Sequence, residues 1–141
     1  MEIKIDNQEI IVDADKLAKI MYKILDGEDE YDRIKEHVWV VGVNNKGIIQ
    51  YIDFTCLGTG KSVSIDPSIV FRLAIVKNSS SIFLIHNHPS GTMEHSEKDY
   101  LLTENLIKAG KILDINLADH LIIGRNITDG YYSFADKTNL F

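Results

Sequence analysis

The sequence predicts an α/β fold, a single-domain sandwich with a mixed, largely antiparallel sheet flanked by helices. Stretches of helical periodicity alternate with β-branched apolar runs, the pattern of a layered α/β domain. Between two of those runs lies Asn44-Asn45-Lys46-Gly47, a hairpin-turn composition that imposes antiparallel pairing and argues against a doubly wound parallel sheet. The length, 141 residues of which 45% are hydrophobic, suffices for one core and leaves little for a second.

The elements follow in order. Ile3, Ile5, Ile10 and Val12 are expected to form a small edge hairpin around Asp6-Asn7. Asp13 then caps a helix whose apolar residues Leu17, Ile20, Met21, Ile24 and Leu25 recur at the spacing of one buried face, with Gly27 as its stop. Residues 1–30 thus form an N-terminal hairpin and helix within a domain spanning 1–141. The charge run Gly27 to Arg33 is expected as a solvated loop. Val38 to Val43 and Ile48 to Phe54 are the two strands of the hairpin. Asp66-Pro67 opens a second helix, with Asp at the cap and Pro at the first helical position, and Ile69, Val70, Leu73 and Ala74 as its apolar face up to Asn78-Ser79-Ser80. Ser81 to Ile85 is a buried strand. A polar loop, His86 to His95, leads to a third helix over Glu97 to Ala109, stopped by Gly110. Leu121 to Gly124 and Tyr131 to Phe134 close the sheet around the turn Asn126 to Gly130.

Composition excludes several functions. A single cysteine, Cys56, rules out an intrachain disulfide framework, paired-cysteine zinc knuckles and an iron–sulfur cluster held by this chain alone, and leaves Cys56 as a small apolar filler. Any metal must be held by His, Asp or Glu. The charged opening Met-Glu-Ile-Lys-Ile-Asp lacks the apolar stretch of a secretory signal, and no apolar run reaches the ~20 residues of a membrane helix, so a cytoplasmic protein without a membrane partner is expected. Lys and Arg number 15 against 21 Asp and Glu, and this net charge of −6 disfavours non-specific binding to nucleic acid. HExxH, Walker and GxGxxG patterns are missing.

The chemistry concentrates in His86 to Asp99. In a His-x-His pair leaving a strand both rings fall on one side, so His86 and His88 can reach one metal ion. Asp99 lies early in the following helix at helical spacing from Leu102 and Leu106, which aims its carboxylate toward the sheet. Two imidazoles and one carboxylate leave a fourth tetrahedral position for water, the make-up of a catalytic zinc site. Ser96-Glu97-Lys98-Asp99 also reads as a capping box, in which Asp99 merely satisfies a backbone donor. Asp119 and His120 are either support for the site or packed core, His95 is expected to be exposed, and His37 is structural on the sheet face opposite Glu36. His95-Ser96-Glu97 mimics the His-x-Glu of zinc deaminases but lacks their Pro-Cys-x-x-Cys partner.

The spacing of His-x-His, seven residues, Ser, two residues and Asp resembles that of JAMM/MPN metalloproteases. The block His86-Asn87-His88-Pro89-Ser90-Gly91 resembles their bacterial RadC branch, as do Gly58-Thr59, Asp66-Pro67, Asp119 to Gly124 and Tyr132-Ser133-Phe134. The resemblance spans Ile10 to Phe141. It implies the MPN/JAB fold, which is cytidine-deaminase-like, and a zinc-dependent hydrolase that cleaves a peptide or isopeptide amide, in a DNA-repair or mobile-element setting. It implies metal ligation by His86, His88 and Asp99, general acid/base work by Glu36 at the start of the first long strand, and an oxyanion hydrogen bond from Ser96. A Glu at a strand start is otherwise an ordinary surface residue. RadC-like proteins carry a helix-hairpin-helix DNA-binding module for which these 141 residues have no room, so weak or no nucleic-acid binding by this domain alone is expected. Thr92-Met93-Glu94-His95 stands where the family usually has Asp-Pro-x-Pro. The competing reading is a non-catalytic protein- or DNA-associated module in DNA repair.

Overall fold

Asp13 Oδ1 accepts the Lys16 N–H at 2.8 Å and starts helix α1 (Ala14–Asp26), which buries Leu17, Met21 and Leu25 together with Ala18 and Tyr22. The computed structural model describes residues 1–3, 12–58 and 65–141. The hairpin expected around Asp6-Asn7 and the side chain of Cys56 lie outside the described residues. Glu2–Ile3 form a short strand, β1, against the middle of the second long strand.

The acidic run after Gly27 is not a plain loop. Asp29 accepts the Asp32 N–H at 2.8 Å and nucleates a one-turn helix, α2 (Glu30–Arg33). A side chain suited to solvent thus satisfies a backbone donor at a helix start instead. Strands β2 (Glu36–Val43) and β3 (Ile49–Gly58) form the expected hairpin. Asn44 Oδ1 closes its turn by accepting the Lys46 and Ile48 N–H groups at 2.9 and 3.0 Å, and Gly47 supplies a φ of +79°.

Helix α3 (Pro67–Val76) begins at the Asp66 cap and buries Val70, Phe71 and Ala74. Ile69, expected on the packed face, is 43% exposed; Phe71, two residues on, occupies the core instead. Strand β4 (Ser81–Asn87) reaches two residues beyond the expected Ile85, because His86 and Asn87 stay paired with neighbours. Helix α4 (Glu97–Leu113) runs through Gly110 and ends at Asp114 in the left-handed region, φ +57°. Gly110 serves packing rather than termination: a Cβ there would lie 2.4 Å from the Ile115 carbonyl oxygen. Strand β5 (Asn116–Ile123) is parallel to β4, and β6 (Tyr131–Ser133) is antiparallel to β5. Phe134, expected in that last strand, opens the short helix α5 (Phe134–Lys137) because Ser133 caps it.

The single mixed sheet has the order β1-β3-β2-β4-β5-β6, with β4–β5 its only parallel pair among the described residues. Alternating residues divide between two cores. Trp39, Val41, Ile85 and Leu121 pack with α1 on one face, and Val38, Val40, Ile82 and Leu84 pack with α3 and α4 on the other. No helix of the described residues is long and apolar enough to cross a membrane.

Topology places the site. β2 is antiparallel to β4 with Val38 opposite His86, so the start of β2 lies level with the end of β4. Continuing that register by two residues sets Glu36 beside His88, and period-two alternation puts Glu36, Val38, His86 and His88 on one face.

Gly110→Ala gains ~1 kcal/mol of helix propensity but drives a methyl group into backbone, which typically costs about 1–3 kcal/mol. The variant is expected to melt below the wild type in a thermal scan; an increase in Tm would contradict the packing role.

Candidate metal centre

His86 occupies the penultimate position of β4, 3% exposed, and His88 follows just past the strand end. Their Nε2 atoms lie 2.9 Å apart. Asp99 enters from the first turn of α4, with Oδ1 3.4 Å from His86 Nε2 and Oδ2 3.3 Å from His88 Nε2. These three residues bring ligand atoms within 4.8 Å of one another. Donors ~2.0–2.1 Å from a tetrahedral ion lie about 3.3 Å apart, so a small divalent cation fits among them.

Asp99 caps its helix, and its carboxylate also reaches the two imidazoles. Its Oδ2 accepts the Ser96 N–H at 2.9 Å while Ser96 Oγ accepts the Asp99 N–H at 3.0 Å, a complete capping box. The cap holds the carboxylate while its outer lone pairs face the imidazoles. Burial disfavours the Asp99 charge, but the His86 and His88 imidazoles beside it outweigh that and hold the carboxyl well below the usual carboxylate range. Burial likewise disfavours a proton on His88, yet Asp99, the Thr92 carbonyl and the charge of Glu36 together raise its pKa. The Thr92 carbonyl lies 2.8 Å from His88 Nδ1 and orients that ring.

Glu36, His88 and Ser96 share the wall of an open cleft of roughly 800 Å³, with Tyr31 of α2, Ile34 just after it and Pro89 on the loop. Glu36 is gripped through its neighbours. The buried Asn87 side chain accepts the His37 N–H and donates to the Lys35 carbonyl at 3.0 Å, so one amide pins the residues on either side of Glu36. Sequence reasoning passed over Asn87. Its only signal was a polar residue at the end of an apolar strand, where an orphan polar group would be costly.

The remaining histidines divide by sheet face. His37 is fully buried, stacks on Trp39 and Phe54 at 5.1 and 5.4 Å, and pairs through Nδ1 with the Lys35 carbonyl at 2.7 Å, as a structural residue on the face opposite Glu36 should. His95 is not simply exposed: Nδ1 meets the Tyr132 hydroxyl at 2.6 Å, and Tyr100, Tyr132 and Phe134 surround the ring. The polar loop sequence hid this, because the aromatic partners come from α4, β6 and α5. His120 is both packed and supporting, fully buried with Nε2 2.7 Å from His86 Nδ1. Burial and the neighbouring His86 push its pKa well down, so it stays neutral. Asp119 does not reach the site. It accepts from the Ser133 hydroxyl and from the His120 and Ala135 N–H groups, tying β6 and α5 to β5, and burial raises its pKa.

A raised His88 pKa means that the folded, metal-free chain binds that proton more tightly than the unfolded chain. Its contribution to stability is complete below the ordinary value of 6.5 and is lost as pH rises through the folded value. Asp99 acts in the opposite sense: its lowered pKa stabilises above the ordinary carboxylate range, and that contribution is lost as pH falls below it. Asp99→Asn is therefore expected to lower the His88 pKa, read from an NMR titration of its Cε1–H in metal-free protein. An unchanged or higher value would contradict the pairing.

Comparison with known proteins agrees with the geometry. The family described as "RadC-like JAB domain" matches residues 11–140. A "UPF0758 protein" of Chlorobium phaeovibrioides is 37% identical over 123 residues, covering 87% of this chain and 53% of that protein. One from Pelodictyon phaeoclathratiforme is 39% identical over 106 residues, 75% of this chain and 46% of its own, and one from Caldanaerobacter subterraneus subsp. tengcongensis is 43% identical over 105 residues, 71% and 45%. The chain spans about half the length of these curated relatives. By the extent of that match, and with an α/β mixed sheet consistent with the JAB/MPN fold, the chain belongs to the RadC-like JAB domain family.

Proposed function

We propose that this domain is a zinc-dependent hydrolase that cleaves a peptide or isopeptide amide. The observation that carries the reading is the convergence of two imidazole nitrogens and a carboxylate, 2.9 to 3.4 Å apart, beside a cleft whose wall His88 shares with Glu36 and Ser96. His86, His88 and Asp99 would hold the ion, and two nitrogens with one oxygen suit zinc with a position left open. When bound, zinc supplies Lewis acidity, which makes a water acidic near neutral pH and polarises a carbonyl.

The protein's own groups do the rest. Glu36, level with His88 but outside the ligand trio, takes a proton from the attacking water and returns it to the leaving amine. Asn87 keeps Glu36 at that level by gripping the backbone on both sides of it. The Ser96 hydroxyl, which accepts from the Asp99 N–H, still carries its own proton and can donate it to the developing oxyanion. An extended chain would lie in the cleft between α2 and the His88–Ser96 loop, where Tyr31, Ile34 and Pro89 line the wall.

Purified protein is expected to hold one zinc per chain; His88→Ala should lose it and His95→Ala should keep it, measured by elemental analysis. Equal zinc in wild type and His88→Ala would contradict the ligand set. Because the histidines must be neutral to ligate, zinc should be released as pH falls. Glu36→Gln should retain zinc and fold while hydrolysis of an isopeptide-linked peptide library falls by about 10²- to 10⁴-fold, the usual worth of general acid/base assistance. Zinc loss in Glu36→Gln would make it a ligand, and full activity would place the base elsewhere. A zinc-loaded wild type that cleaves nothing in the library would favour a binding module.

The occupant of the cleft is taken to be a peptide and not nucleic acid. With a net charge of −6, binding of the isolated chain to duplex DNA should be weak and fall steeply with salt in a fluorescence-anisotropy titration. Tight, salt-insensitive binding would contradict this.

A further inference from the structure

His86 Nδ1 cannot be oriented in the way His88 Nδ1 is. β4 is paired on both sides, with β2 and with β5, so the carbonyls around His86 are committed to the sheet and its ring must find a side-chain partner. The partner is His120, which in turn touches Thr103, and the protons along this line can be counted.

Thr103 Oγ1 lies 2.7 Å from the Asp99 carbonyl oxygen, a group that only accepts, so the single hydroxyl proton is committed there. Its remaining lone pair faces His120 Nδ1 at 2.6 Å, and that nitrogen must therefore carry a hydrogen. His120 is fully buried and stacked face to face on Phe134, centroids 4.3 Å apart and planes 3° from parallel, a setting for a neutral ring. With its hydrogen on Nδ1, its Nε2 is a lone pair. That lone pair meets His86 Nδ1 at 2.7 Å, so His86 is the donor and its hydrogen sits on Nδ1. In the neutral ring His86 Nε2 is thereby the unprotonated nitrogen, facing His88 Nε2 and Asp99.

We propose that Thr103 and His120 form a positioning relay that sets the tautomer of His86, so that Nε2 presents a lone pair to a metal ion. The relay begins on the carbonyl of Asp99, another ligand of the trio, and ends on His86, joining α4 to β4 through β5. It rests on the zinc reading only for the identity of what the lone pair receives. The tautomer itself is a property of the metal-free fold. Thr103 carries no motif of its own; it lies one helical turn after Asp99, on the same face of α4.

Long-range ¹H–¹⁵N correlation of the histidine-labelled, metal-free full chain at pH 8 reads the tautomers directly. Hydrogens on Nδ1 of both His86 and His120 are expected, and a hydrogen on His86 Nε2 overturns the relay. Zinc affinity, measured by competition with a chelating dye, supplies the second readout. Thr103→Val and His120→Leu should bind zinc about 10- to 100-fold more weakly. Thr103→Ser, which keeps the hydroxyl, should stay near wild type, and His120→Gln, whose amide oxygen can accept from His86, should recover part of the loss. Wild-type affinity in Thr103→Val overturns the proposal, and Thr103→Val with the wild-type tautomers still present does so even if His120→Leu fails to fold. Should the chain show the expected tautomers and bind no zinc, the relay stands and the hydrolase reading fails. Zinc bound by a His86 protonated at Nε2 in the metal-free form would leave the hydrolase reading intact and remove the relay.

Discussion

The register of β2 against β4 is the constraint from which the site follows. Val38 opposite His86 sets Glu36 level with His88, so a carboxylate and two imidazoles distant in sequence share one end and one face of the sheet. A shift of one residue would turn Glu36 to the opposite face, where His37 now stacks on Trp39 and Phe54. Hydrophobic burial on both faces holds the register: Val38 and Val40 are committed to the α3–α4 core, Trp39 and Val41 to the α1 core. A slip would exchange the two sets and send small valines where a buried Trp must fit. The asymmetry between the two cores therefore protects the arrangement of the site.

Asp99 links that sheet edge to α4 with one side chain. Capping fixes the carboxylate through the helix N-terminus, and the lone pairs left over face His86 and His88. Ser96 completes the box and stays at the cleft wall, so the start of α4 supplies both a carboxylate and a hydroxyl. Such a site needs little extra ordering, because helix formation has already placed it. The loop from His88 to Ser96 is held at its near end by the Thr92 carbonyl on His88 and at its far end by the Tyr132 hydroxyl on His95.

Much of this was legible in the residues. The His-x-His pair at a strand end, the Ser-x-x-Asp cap and the Asn44–Gly47 turn are local patterns, and local geometry is what spacing encodes. Gly110 misled because a glycine near a helix end usually terminates it, whereas here the missing Cβ admits the Ile115 carbonyl. The surroundings of His95 and the roles of Asn87 and Thr103 were not legible. Each depends on partners 17 to 52 residues away that meet only when strands and helices pack. Which alternative held for Asp119 was likewise settled by packing: beside His120 in the chain, it turns to Ser133 and Ala135.

The proposed metal site is built by β4 and α4 together. Its most direct test is X-ray absorption at the zinc edge of the zinc-loaded chain, which reports the type and distance of the bound atoms. The expected spectrum has nitrogen and oxygen scatterers at about 2.0–2.1 Å, with the multiple scattering of two imidazoles and no sulfur at about 2.3 Å. A sulfur shell, which only Cys56 or a methionine could supply, or the absence of imidazole scattering would contradict it.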